Sequence, residues 1–479
     1  MLLSQVAGGL EDAGIPHERR GEADISDVVH VARNVVAGAL FCCVPGSRVD
    51  GHDLADEVVQ AGAAALLVER PLPVDVPQLQ VPSVRRAMGP VSARFWGDPS
   101  RSLAVVGVTG TNGKTTTVAI LRALFEADGR RCEVVGTLTS RPGGPPTTPD
   151  APELQAQLAS WRDEGVDVVA MEVSSHALAM GRVDGTWFEA TGFTTLGHDH
   201  LDLHGDIESY FEAKASLFRP ERTRRAVIRA DDEWGARLLE RVAATEVEVR
   251  PYRLADAEEL APTPVGSRFR LRGEPVDLPL PGRHNVANAL CAAGIADWLG
   301  VEPGTVAAGL ATVPPVAGRF ELVDEGQPFT VAVDYAHTPD ALQTVLDAAR
   351  ERAVAGGGRV LVVFGCGGDK DRAKRPEMGR IAAASADVVV VTSDNPRSED
   401  PAAIAEEILA GVPTERRAHV STVLDRADAI HHAARAARDH DVVVIAGKGH
   451  ETTQTFADRV IDFDDRVVAA AALREVAGR

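Results

Sequence analysis

Leu103 to Phe125 leaves this chain the fewest choices of fold. Its opening, Leu103-Ala-Val-Val-Gly-Val108, is apolar without alternation, as in a strand buried on both faces. The chain then passes through Gly107-Val-Thr-Gly-Thr-Asn-Gly-Lys-Thr115 and continues with Val118, Leu121, Leu124 and Phe125 at helical spacing. A strand, a glycine loop and a helix in that order suit a triphosphate. Glycines let the main chain approach, the helix N-terminus carries a favourable dipole, Lys114 suits the β and γ phosphates, and Thr115 suits magnesium. The strict spacing G-x-x-x-x-G-K-S/T is not met, because Val108 holds the first glycine's place while Gly107 and Gly110 flank it. The loop is a variant, and its context predicts an α/β protein built on a parallel sheet.

Around this unit the chain divides into three domains. Residues 54–69 read as a helix running into a short strand, and the Pro-rich stretch 71–82 breaks that pattern. A boundary near Pro99 closes a smaller N-terminal α/β domain, 1–98. Apolar strands at 166–173 and 186–195 extend the central parallel sheet, and Pro314 and Pro315 end that domain, 99–315. Beyond them, 316–479 alternates strands at 329–334, 359–364, 387–392 and 441–446 with helical segments, a doubly wound Rossmann-like unit. No internal repeat or low-complexity segment stands out.

Composition narrows the function classes. Hydrophobic residues make up 44% and charged residues 25%, a globular balance, and no apolar run reaches the roughly 18 residues of a membrane span. The formal charge of −20, from 70 acidic and 50 basic residues, argues against sequence-independent nucleic-acid binding, so a phosphorylated ligand needs a local site. The N-terminal segment does not read as a secretory signal. Five cysteines (Cys42, Cys43, Cys132, Cys291, Cys366) form no C-x-x-C pair and fit reduced thiols in the cytoplasm. Lysine is rare: Lys114, Lys214, Lys370, Lys374 and Lys448 are the whole set, and arginine supplies the other basic charge. The survivors are candidates for places where a compact, deprotonatable amine cannot be exchanged for a planar guanidinium.

Glu172 ends an apolar strand, where ligands of open α/β sheets collect, and Ser174, Ser175 and His176 follow it. His198, Asp199, His200, Asp202 and His204 crowd seven positions, with Lys214 ten residues further on. Those histidines could form a zinc site. Beside a triphosphate, with no cysteine nearby, hard-cation oxygen chemistry and magnesium are the better fit. Asp394-Asn-Pro-Arg397 follows the strand of 387–392 and sets a guanidinium at its carboxyl end, suited to bidentate capture of a carboxylate.

Taken in order, Gly110-Thr-Asn-Gly-Lys-Thr-Thr116, Met171-Glu-Val-Ser-Ser-His176, Asp199-His-Leu-Asp202 with Lys214, Gly318-Arg-Phe-Glu321, Asp334-Tyr-Ala-His-Thr-Pro339, Asp394-Asn-Pro-Arg397 and Gly447-Lys-Gly-His-Glu451 resemble the Mur ligase family. The resemblance covers nearly the whole chain and is weakest before residue 90. It is nearest to the members that add meso-2,6-diaminopimelate to UDP-MurNAc-L-Ala-D-Glu in cytoplasmic peptidoglycan precursor synthesis. It implies an ADP-forming ligase working through an acyl phosphate, a monomer with ATP as co-substrate and magnesium as cofactor, and neither nucleic acid nor membrane as partner. By that resemblance Gly110, Thr111, Asn112, Gly113, Lys114, Thr115, Thr116, Asn288, Arg319, Asp334 and His337 meet ATP. Lys114, Glu172, His200 and Lys214 are catalytic. Lys214 is carbamylated and, with Thr115, Glu172 and His200, organises magnesium; that modification needs a neutral amine, which arginine cannot supply. Thr147, Thr148, Ser174 and Arg182 match the contacts to the UDP-sugar peptide. Lys370, Asp394, Asn395, Pro396, Arg397, Gly447 and Glu451 match those to diaminopimelate.

The chain departs from the family pattern at defined places. Lys370 in Gly365-Cys-Gly-Gly-Asp-Lys370 stands where arginine is usual, and Val31-Ala-Arg33 replaces Asp-Ser-Arg, so Ala32 brings no hydroxyl to the uridine nucleotide. Thr195, Gly197 and His198 replace the usual residues before Asp199, and Met180 replaces a glutamine near the peptide. Two other readings remain: another Mur-type or folylpolyglutamate-type ligase, which would not need Asp394-Asn-Pro-Arg397, and a degenerate paralogue that binds nucleotide without ligating.

Overall fold

The computed structural model describes residues 1–479 except 47–48, 138, 140–145, 198, 200, 264 and 478–479, so His198 and His200 lie outside the described residues. The centre is a six-stranded sheet, parallel throughout, in the order Glu248–Tyr252, Arg225–Arg229, Ala190–Phe193, Ala104–Thr109, Val168–Glu172, Cys132–Val135. Both faces are covered. Val106 and Val108 pack with residues of helices Lys114–Ala127 and Arg283–Trp298, and Val105 with Leu154, Leu158, Tyr210 and Phe211 on the other side. That two-sided burial is why the strand reads as a continuous apolar run. The chain leaves Ala104–Thr109 for one edge of the sheet and returns to add Ala190–Phe193 on its other side, so the glycine loop opens at a switch point, where open α/β sheets bind ligands.

The sequence reading missed strands Cys132–Val135, Arg225–Arg229 and Glu248–Tyr252 of this sheet, and a second sheet beside it. Glu258–Pro262, Ser267–Leu271 and Glu274–Leu278 form a three-stranded antiparallel sheet. Phe269, Leu271, Val276 and Leu278 bury one face against the central core, and the Arg272-Gly273 turn, with φ of 52° and 86°, closes the hairpin.

The C-terminal sheet runs Glu321–Leu322, Thr330–Asp334, Val442–Ala446, Val360–Phe364, Val388–Val391, Val420–Thr422, parallel except for its first strand. Val331, Val333, Leu361 and Val363 face one layer of helices, and Ala332, Val360, Val362 and Phe364 the other. Val420–Thr422 was not anticipated; three residues, two of them hydroxylic, carry too little apolar pattern to announce a strand. The N-terminal sheet has the order Glu18–Arg20, Gln78–Gln80, Ala65–Val68, Ala39–Cys42, Asp27–Val29. Helix Ala55–Gln60 and strand Ala65–Val68 lie within 54–69, and Gln78–Gln80 adds a strand inside the Pro-rich stretch. Among the described residues no helix is long and apolar enough to cross a membrane.

Candidate functional site

An open cleft of about 1300 Å³ lies between the carboxyl ends of the central and C-terminal sheets, lined by Thr111 to Thr116 together with residues of both. Helix Lys114–Ala127 starts from Gly113, whose φ of 87° is left-handed, and no side chain caps it. Its first-turn N–H groups are thereby left for an anion. Asn288 stands directly behind Gly113, where a methyl group would collide with its Oδ1, so this close approach requires glycine.

Two lysines converge on one carbonyl. Lys114 Nζ donates to Gly110 O at 2.7 Å and Thr111 O at 2.9 Å, and Lys214 Nζ donates to the same Gly110 O at 2.9 Å from the far side of the loop. Lys214 is 1% exposed, and its Nζ lies 4.4 Å from the centroid of the Tyr210 ring. Burial, and then the Lys114 charge, push the Lys214 amine well below the usual lysine range, against the pull of Asp199. Burial also lowers the basicity of Lys114, opposed chiefly by Glu172. On the loop's other flank Thr115 Oγ1 donates to Glu172 Oε2 at 3.0 Å, and Thr137 N donates to Glu172 Oε1 at 2.7 Å. Arg319 reaches across from the C-terminal side, its Nη2 donating to Thr115 Oγ1 at 3.2 Å and its guanidinium lying 4.7 Å from the Tyr335 ring centroid. Asp334 lines the cleft, but both its oxygens hold main chain, accepting from Phe320 N and Ala336 N at 2.7 Å. His337 Nδ1 donates to Tyr335 O at 2.9 Å, and burial lowers the ring's basicity.

The residues expected to meet the sugar peptide share this cleft. Thr147, Thr148, Ser174 and Arg182 all line it. Thr148 Oγ1 donates to Glu172 O at 2.9 Å, and Arg182 Nε donates to Asp150 Oδ1 at 3.0 Å. Of the residues expected to meet the amino acid, Asn395, Arg397 and Glu451 line the cleft. Asp394 and Gly447 support them from below: Gly447 has φ of 117°, and a side chain there would strike the Asp394 carboxylate. Pro396 carries the turn into Arg397, whose Nη1 donates to Gly368 O at 2.7 Å. Lys370 is exposed and is not among the cleft-lining residues, and its side chain lies on the Gly367 turn that Arg397 also approaches. Ala32 is half-buried and Arg33 exposed in the N-terminal domain.

Sequence reading missed Thr137, which holds Glu172 through its main chain, and Asp232, which accepts from Thr195 Oγ1 at 2.9 Å. Neither has a local signal. Tyr335 was within reach, since it stands inside a quoted motif between Asp334 and His337. Among the described residues no three His, Cys, Asp or Glu side chains gather to hold a metal. Thr115 and Glu172, bonded to each other beside the glycine loop, do fit magnesium, which takes one or two carboxylates and completes its shell with water and phosphate oxygens.

Fold and cleft together define a phosphate-loop α/β protein whose nucleotide-type loop faces a second doubly wound domain. Three family models match in series: "Mur ligase family, catalytic domain" over residues 24–96, "Mur ligase middle domain" over 108–296, and "Mur ligase, glutamate ligase domain" over 318–449. The chain belongs to the Mur ligase family. It is 45% identical over 473 residues to UDP-N-acetylmuramoyl-L-alanyl-D-glutamate–2,6-diaminopimelate ligase of Geobacillus kaustophilus, covering 95% of this chain and 96% of that one. It is 40% identical over 498 residues to the enzyme of the same name from Streptomyces avermitilis, covering 99% and 97%. A solved structure of a ligase of that name superposes with a TM-score of 0.68 at 32% identity, over 95% of each chain. A Thermotoga maritima MurF ligase in complex with ADP superposes with a TM-score of 0.63 at 21% identity, over 94% of this chain and 96% of that one, a likeness of fold.

Proposed function

We propose that the chain is an ATP-dependent, ADP-forming ligase that joins meso-2,6-diaminopimelate to UDP-MurNAc-L-Ala-D-Glu in peptidoglycan precursor synthesis, acting as a cytoplasmic monomer. Residues 1–98 hold the UDP-sugar, 99–315 the ATP and 316–479 the amino acid. One observation carries the reading: the glycine loop, Glu172, the Thr148–Arg182 edge and Arg397 all face a single cleft.

The D-glutamate carboxylate attacks the γ phosphate, giving an acyl phosphate and ADP; the amine of diaminopimelate then adds to the acyl carbon, and phosphate leaves from the tetrahedral adduct. The loop N–H groups and Lys114 hold the triphosphate, with Lys114 exchanging its carbonyl partners on Gly110 and Thr111 for phosphoryl oxygens. Thr115 and Glu172 would hold magnesium, with His200 and carbamylated Lys214 completing the set. The bound ion neutralises charge on the phosphoryl oxygens. A depressed Lys214 basicity supports the carbamate, because only the neutral amine captures carbon dioxide. Arg182 and Thr148 orient the peptide. Arg319 ties the C-terminal domain to Thr115, bringing the amino-acid loops over the acyl phosphate and keeping water out.

Phosphate release from ATP, measured with the UDP-muramoyl dipeptide and diaminopimelate, L-lysine or no amino acid, tests the reading. Turnover with diaminopimelate is expected. Preference for lysine, or ATP binding without turnover with any amino acid, would overturn it.

A further inference from the structure

Three of the five lysines have now been placed, Lys114 and Lys214 at the phosphate loop and Lys370 on an exposed turn. Lys448 has not, and it is the most enclosed: its side chain is 0% exposed, and it is absent from the cleft lining although Asn395 and Glu451, which do line the cleft, rest on it. Its Nζ donates to Asn395 Oδ1 at 3.2 Å, to Glu451 Oε2 at 3.0 Å and to Thr453 O at 2.6 Å. An ammonium has three donors, so none is left for a ligand.

The consequence falls on its neighbours. Asn395 Oδ1 accepts from Lys448 and from Thr455 N at 3.0 Å, which fills both its lone pairs, while Nδ2 donates to Glu451 Oε2 at 2.9 Å. The carboxamide is therefore held in one of its two orientations, with the second Nδ2 hydrogen left over. Glu451 Oε2 is saturated in the same way, and Oε1 is left over. The residual pair is one donor and one anionic acceptor, the complement of an amino acid's carboxylate and ammonium. A guanidinium cannot reproduce this, because three acceptors on different sides converge on a single nitrogen.

We propose that Lys448 is a positioning residue for the amino-acid substrate, fixing the Asn395 carboxamide and the Glu451 carboxylate in the orientation that reads a zwitterion. The inference rests on the ligase reading above. Without Lys448 the carboxamide keeps only Thr455 N on Oδ1, and Glu451 Oε2 loses its ammonium partner, so both side chains are loosened from the orientation that presents a donor to the substrate carboxylate and an acceptor to its ammonium.

The test compares wild type with Lys448→Met and Lys448→Gln, each alone and in a Glu451→Gln background, using the full chain and varying diaminopimelate, ATP and the UDP-muramoyl dipeptide in turn. Melting curves and ADP binding establish that each variant is folded. The KM for diaminopimelate is expected to rise about 30-fold or more, with kcat and the other two KM values within about threefold. In the Glu451→Gln background the same substitutions should add less than about threefold, because the group they act through is already altered. An unchanged diaminopimelate KM, a parallel rise in the ATP KM, additive losses, or failure of every variant to fold would each overturn the proposal. Wild type that ligates no amino acid would instead sink the ligase reading.

Discussion

Arg397 stands just past strand Val388–Val391 with φ of 52°, anchored by Nη1 on Gly368 O and by its own N–H on Thr455 O at 3.0 Å. The residue lines the cleft. Replacing it by methionine keeps the apolar stem, the Cβ and hence the backbone strain, so what is lost is the guanidinium. A bidentate clamp on the distal carboxylate of diaminopimelate makes two charge-assisted hydrogen bonds of about 1.5–3 kcal/mol each. Allowing for partial replacement by water, kcat/KM for diaminopimelate should fall by about 3–4 kcal/mol, or 10² to 10³-fold. L-Lysine lacks that carboxylate, so its kcat/KM should change less than about threefold, and the preference between the two should collapse. Coupled ADP release at saturating ATP and UDP-muramoyl dipeptide, with each amino acid varied, gives both numbers. Equal losses for the two would refute the reasoning and make Arg397 a prop for the Gly368 loop.

Lys214→Arg should lower turnover by more than about 10³-fold, since a guanidinium cannot be carbamylated; a short carboxylic acid restoring activity to Lys214→Ala would agree, and an active arginine variant would not. Gly113→Ala, forced to φ of 87° against Asn288, should weaken ADP binding about 10-fold or more in titration calorimetry, with unchanged affinity showing that the loop can yield. Arg426 and Asp465, both 0% exposed, pair at 2.7 Å, and Asp465→Asn should cost about 3–5 kcal/mol in chemical denaturation by leaving the guanidinium uncompensated. Burial depresses His284 and His450 from 6.5 to about 4, so the unfolded chain takes up protons first as pH falls. Stability should be full above about pH 6.5 and drain away toward pH 4, and His284→Asn should flatten that slope in melts taken across the range.

What could be read in advance was local. The strand, glycine loop and helix from Ala104 to Ala127 lie within one short stretch, and each part depends on neighbours a few residues away. The strands of 329–334, 359–364, 387–392 and 441–446 were legible because each is built on an unbroken apolar run, such as Val360–Phe364 and Val388–Val391. The hairpin sheet of 258–278 had an alternating pattern that was there to be seen, Phe269, Leu271, Val276 and Leu278, yet its place against helix Pro303–Ala311 comes from packing.

Residue chemistry and order along the chain were enough to assemble the motifs of a ligase and to mark lysine as scarce. Folding alone decided that Lys214 would meet the Gly110 carbonyl from a position 104 residues away, that strand Val442–Ala446 would slot between Thr330–Asp334 and Val360–Phe364, and that Lys448 would vanish behind the cleft wall while Lys370 stayed outside. Local spacing governs which backbone conformation a segment takes, whereas burial, desolvation and hydrogen-bond saturation depend on contacts between distant segments and exist only once the chain has closed around them.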